Sequence, residues 1–134
     1  MNPDDKIHNL IIKLNRLTSQ EQIKWKVDNP PIAIVRGTDD HIPFFVHCEY
    51  MGKHFALYQI RHQSFDMYHE RTYWSENIVL AILDESDRVL WEERNQGSLL
   101  FDLLETVRRK ISDIDVLLGD IFREEESADA LKAR

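Results

Sequence analysis

Residues 44–60 read Phe44-Phe45-Val46-His47-Cys48-Glu49-Tyr50-Met51-Gly52-Lys53-His54-Phe55-Ala56-Leu57-Tyr58-Gln59-Ile60. Two runs rich in apolar residues flank Met51-Gly52, and Gly supplies the positive φ that a tight turn needs. Successive strand residues point to opposite faces. A two-residue turn therefore puts Phe44, Val46, Cys48, Phe55 and Leu57 on one face, which reads as core. Phe45, His47, Glu49, His54, Ala56, Tyr58 and Ile60 fall on the other. A bulged turn would slip the register by one residue and exchange faces on one strand. The second face is semi-apolar through Phe45, Tyr58 and Ile60, so it needs a cover of its own.

Working outward, Ile78 to Leu83 is apolar at both parities, as expected of a central strand covered on both sides. Asp84-Glu85-Ser86-Asp87 supplies a turn, and Val89-Leu90-Trp91 returns. Residues 63–76 have no clean period and read as a long loop or a short irregular helix. Upstream, Ile7, Leu10, Ile11, Leu14 and Leu17 mark one face of a helix over 4–17. Pro3 and Asp4-Asp5 suit its start, where the backbone dipole is positive. Ile23, Trp25 and Val27 alternate with polar residues as in a strand, which Asn29-Pro30-Pro31 stops. Ile32 to Val35 reads as a further short strand, and Gly37-Thr38-Asp39-Asp40 as a loop.

After Asn95-Gln96-Gly97 the pattern is helical to about Glu125. Leu100, Leu104, Val107, Ile111, Ile114, Leu118 and Ile121 alternate steps of four and three, a heptad seam flanked by Leu103, Leu117 and Phe122. Ser112-Asp113-Ile114-Asp115 resembles a capping box, so 98–125 is one helix or two, 98–110 and 113–125, with a bend. Residues 127–134 read as a frayed tail. The fold expected is α+β, with an antiparallel sheet of about 4–6 strands in hairpins. An N-terminal helix and one long or two consecutive C-terminal helices complete a single domain over 1–126.

Bulk properties narrow the function. The 134 residues suffice for one core, and the formal charge of −7 argues against nucleic acid as a partner. Cys48 is the one cysteine, so no internal disulfide forms and a cytoplasmic location is the natural reading. Met1 to Lys6 is acidic where a secretory signal is basic, and no apolar run is long enough to span a membrane.

No cofactor motif is present. The four glycines, at 37, 52, 97 and 119, are too scattered for a phosphate-cradling loop. No G-x-S-x-G, H-E-x-x-H or C-x-x-C occurs, so neither the serine-hydrolase elbow nor the common zinc signatures apply. His41, His47, His54, His62 and His69 crowd one region. Of these, His47 and His54 share a face with Glu49, and two imidazoles with a carboxylate could ligate a metal; the plainer reading is a polar outer face that tolerates His. Cys48 next to His47 points to the opposite face, so it reads as a buried small hydrophobe rather than a nucleophile. The acids of the 84–87 turn lack the spacing of a calcium loop.

Phe65, Tyr68, Tyr73 and Trp74 make residues 63–76 a candidate binding surface, because aromatics on loops recur at interface hot spots. Folding back of Tyr73 and Trp74 onto the sheet is the alternative. The heptad seam could pair with its copy in a homodimer or pack on its own sheet.

Three segments carry a resemblance. They are Leu14-x-x-Leu17-Thr18 with Ile23-x-Trp25; Leu80-x-Ile82-Leu83-Asp84 with Val89-Leu90-Trp91; and Leu100-x-x-Leu103-Leu104-x-x-Val107-Arg108-Arg109 with Ile114-Asp115-x-Leu117-Leu118. Together they are similar to a group of small bacterial proteins of helix–sheet–helix plan. The resemblance implies the fold and no activity. Residues 37–76 depart from that plan. Acidic dimeric secretion chaperones are similar in size, charge and α/β content. The expectation is a non-catalytic protein-interaction module, adaptor or chaperone-like and homodimeric, binding through Phe65, Tyr68, Tyr73, Trp74, Phe45 and Tyr58. The alternatives are a small metal-dependent enzyme using His47, Glu49 and His54, and an inhibitor or immunity protein that binds a basic partner.

Overall fold

A computed structural model describes residues 3–94 and 97–132; Met1-Asn2, Asn95-Gln96 and Ala133-Arg134 lie outside the described residues. The chain runs helix α1 (Pro3–Ser19), strand β1 (Lys26–Val27), helix α2 (Ile32–Val35), and strands β2 (His41–Tyr50), β3 (Lys53–Asp66), β4 (Arg71–Leu83) and β5 (Val89–Glu93). Helices α3 (Ser98–Ser112) and α4 (Ile114–Lys132) follow. The five strands form one antiparallel sheet in sequence order, so the expected α+β plan is the observed one.

The 44–60 hairpin has the two-residue turn read from its sequence. Tyr50 pairs with Lys53, Glu49 with His54 and Val46 with Leu57. Both central residues have positive φ, 54° at Met51 and 71° at Gly52, which matches the right-handed twist of the flanking strands. Gly52 takes that conformation freely, whereas Met51 carries a Cβ into it at a cost of about 1–2 kcal/mol. Met51→Asn, with a side chain that tolerates the left-handed region, is therefore expected to raise the unfolding free energy by about 1 kcal/mol. Urea denaturation checks this, and an unchanged midpoint would show that the turn is not strained.

That register divides the sheet into two cores. On the first face Val46, Cys48, Phe55, Leu57 and Leu80 pack under Ile11, Leu14 and Leu17 of α1 and Leu100, Leu103, Leu104 and Val107 of α3. These helix positions recur at three and four residues, so each helix buries one stripe. On the second face Phe45, Ala56, Tyr58, Ile60, Val79, Ala81 and Leu83 form a separate buried cluster, with Ile34 and Val35 of α2 against it. Phe45 stacks on Tyr58 with ring centroids 5.6 Å apart. Val79, Leu80 and Ala81 are all buried, the mark of a strand covered on both sides.

Three local expectations are corrected. Ile32–Val35 is one helical turn, not a strand: Pro31 at its N-cap cannot donate to a ladder, and its carbonyl accepts from the Ile34 amide at 3.0 Å. The predicted 23–27 strand shrinks to Lys26–Val27, because Ile23 and Trp25 turn inward. The Trp25 indole N–H donates to the Thr18 hydroxyl at 3.0 Å, and that hydroxyl donates to the Leu14 carbonyl at 2.7 Å. Residues 63–76 are neither loop nor helix but the end of the β3–β4 hairpin. Of the two readings left open for 98–125, the observed one is two helices, broken at Asp113 in the left-handed conformation (φ 52°, ψ 32°). Only the first half of the heptad seam is buried, and α4 runs on to Lys132, through most of the stretch expected to fray. Among the described residues no helix is long and apolar enough to cross a membrane.

Candidate functional site

Strands β3 and β4 outrun the rest of the sheet. β2 stops its pairing with β3 at His41 opposite Arg61, and β5 pairs only with Leu80 to Leu83. Beyond that point His62 to Asp66 pair only with Arg71 to Ser75. The result is a two-stranded arm five residue pairs long, about 16 Å at the usual rise per residue. Its tip is locked by one carboxylate. Asp66 accepts from the Tyr68 amide at 2.9 Å, and its second oxygen lies 2.6 Å from His69 Nδ1. The bond from His69 first, then the Tyr68 amide, hold the Asp66 carboxyl below its ordinary range.

The aromatic side chains on this arm stand in solvent. Phe65 is 59% exposed, Trp74 57%, Tyr73 49% and Tyr68 95%, with Met67 beside Tyr68 at the tip. By strand parity Phe65 and Trp74 lie on the helix-bearing side of the sheet and Tyr73 on the other. Among the described residues no element folds over these rings, so Tyr73 and Trp74 do not pack back as core there. Phe45 and Tyr58 belong elsewhere. Phe45 is 3% and Tyr58 1% exposed, sealed in the second core and closed to a partner. Sequence parity placed them on the correct face; what it lacked was α2, whose Ile34 and Val35 cover that face.

The histidine cluster is only partly convergent. His47 Nδ1 and His54 Nε2 lie 3.0 Å apart, so one ring donates and the other accepts. His47 Nε2 also faces Asp28 Oδ2 at 3.4 Å. The chain of groups is carboxylate, imidazole, imidazole, with the two rings edge to face. Glu49 pairs with His54 across the strands, and these three line a cleft of about 330 Å³ with Lys24 and Lys26. The paired ring nitrogens aim at each other, and Lys24 and Lys26 line the same cleft. Among the described residues no group of three or more His, Cys, Asp or Glu is placed to hold a metal ion. A second cleft, about 280 Å³, lies where α1 and α3 end, and its charged rim is paired through Lys110 and Glu21 at 3.6 Å.

Cys48 faces the first core. Burial, and then the charge of Glu49, push its thiol from 9.0 up to about 12. A nucleophile works as the thiolate, and burial disfavours that form here. Tyr58 behaves alike. Burial first, then Glu92, push its phenol from 10.0 to about 12, and Arg94 offsets part of the rise. Both groups keep their protons to higher pH in the folded chain than in the unfolded one. The stability this gives is complete below about pH 9 and is lost as pH climbs through 9–12. Urea midpoints are expected to fall steadily across that window, and Tyr58→Phe to flatten the slope above about pH 10. A midpoint unchanged to about pH 11 would contradict both assignments.

No family model, curated protein or solved structure matches the chain.

Proposed function

We propose that this chain is a non-catalytic protein-interaction module that grips a partner protein with the aromatic arm of the β3–β4 hairpin. The observation that carries this is the exposure of Phe65, Tyr68, Tyr73 and Trp74 together on one projecting ribbon. Water penalises apolar area, and soluble chains leave large contiguous patches uncovered mainly where something else covers them. Aromatic rings supply much contact area at low entropic cost, which is why they dominate interface hot spots. Each strand of the arm has its ladder partner on one side, so a partner strand can add along the other. The partner is a protein with an apolar cleft or strand edge, met in the reducing interior of the cell, where a lone buried thiol such as Cys48 is ordinary.

The test immobilises the full chain, captures proteins from an extract of the host cell and identifies them by mass spectrometry. A purified captured protein is then titrated against the chain and against Phe65→Ala/Trp74→Ala. Loss of binding in the double variant, with its unfolding curve unchanged, is the expected result. Binding that ignores both substitutions would overturn the reading.

A further inference from the structure

We infer that His47 and His54 form a two-imidazole site for a divalent transition-metal ion of tetragonal preference, such as Ni²⁺ or Cu²⁺. Glu49 pairs with His54, and His47 with Ala56, across the β2–β3 hairpin, so the two histidines are diagonal neighbours on one face. Their facing nitrogens, Nδ1 of His47 and Nε2 of His54, are 3.0 Å apart. Two ligands at about 2.1 Å from one ion and at right angles to each other stand about 3.0 Å apart, whereas a tetrahedral ion sets them about 3.4 Å apart. The observed separation therefore fits two adjacent corners of a square, the geometry that favours Ni²⁺ and Cu²⁺ over Zn²⁺. The ion takes the place of the proton now held between the rings, with a turn of each ring about χ2.

The surroundings support that pair. Asp28 Oδ2 faces Nε2 of His47 at 3.4 Å and favours the proton there, which leaves the Nδ1 lone pair toward His54. A carboxylate behind a ligating imidazole fixes its tautomer and its orientation. Asp28 is itself fixed: its amide donates to the Phe45 carbonyl at 3.1 Å, and its Oδ1 accepts from the Asn29 amide at 2.8 Å. The His47 ring also lies beside the Phe45 ring, with centroids 6.1 Å apart. When the ion binds, His54 carries its proton on Nδ1 instead of Nε2, so both imidazoles ligate as neutral rings. Among the described residues no third donor is placed to join them, so water in the adjoining cleft completes the shell. Asp28 and Glu49 offset the charges of Lys24 and Lys26. The inference does not rest on the binding role of the arm, which lies at the other end of β3.

Calorimetric titration of the full chain with Ni²⁺, over roughly 1–500 µM metal, tests it; this ion keeps its charge in a reducing interior. One ion per chain is expected. His47→Ala and His54→Ala should each weaken binding tenfold or more, whereas His8→Ala and His41→Ala should leave it as it is. Asp28→Asn keeps the shape behind His47 but removes the charge, and should weaken binding about tenfold. Residues 47 and 54 meet only in the folded hairpin, so Ni²⁺ should raise the thermal unfolding midpoint of the native chain and not that of His54→Ala. Cu²⁺ in its place should give an electron paramagnetic resonance spectrum split by two imidazole nitrogens. No binding by about 500 µM, binding indifferent to both histidine substitutions, or a copper spectrum with fewer than two imidazole nitrogens would overturn the proposal. Full affinity in Asp28→Asn would remove Asp28 from the site.

Discussion

Leu57→Ala and Tyr58→Ala, adjacent on β3 and pointing to opposite faces, are each expected to lower the unfolding free energy by about 3 kcal/mol or more. Leu57 is wholly buried beneath α1 and α3, and its truncation leaves a cavity that close-packed neighbours cannot fill. Tyr58 is as deeply buried on the far side, stacked on Phe45 and flanked by Val79 across the strands. In a sheet with one solvated face only one of two neighbours would matter. Equal losses, measured by urea denaturation with unchanged slope, are the signature of two cores. A cost below about 1 kcal/mol at Tyr58 would mean that α2 does not cover that face, and would return Phe45 and Tyr58 to the set of available binding residues.

Trp74→Ala is expected to weaken the captured partner's affinity by about 30-fold or more, the effect of losing an interface hot spot of about 2 kcal/mol. Phe65→Ala, one diagonal step away on the same side of the arm, should act in the same direction. Both residues are more than half exposed, so folding stability should change by no more than about 0.5 kcal/mol. That separation distinguishes a binding residue from a core residue. Calorimetric titration gives the affinity and thermal unfolding the control. A variant that loses stability and affinity together would place Trp74 in the core, contrary to its observed exposure.

The local period of the chain reached some of this. The two-residue turn at Met51-Gly52 follows from parity and one glycine, and with it the faces of every residue from Phe44 to Ile60. The buried stripes of α1 and α3 follow from their three- and four-residue spacing. The histidine pair was legible only as two residues on one face; that their nitrogens aim at each other depends on rotamers set by packing. The hairpin arm was missed because Phe65, Thr72, Tyr73 and Trp74 show no alternation. A ribbon solvated on both sides has no buried face to impose one.

By itself, then, the sequence determined which residues share a strand face or a helix stripe, since backbone geometry sets those periods wherever one side is buried. Tertiary structure alone decided which faces are occupied. A single turn after two prolines packs against Phe45 and Tyr58, no element among the described residues covers Trp74, and one left-handed residue at position 113 turns half of a continuous seam into surface. Periodicity records the direction in which a side chain points, whereas coverage depends on where distant segments end.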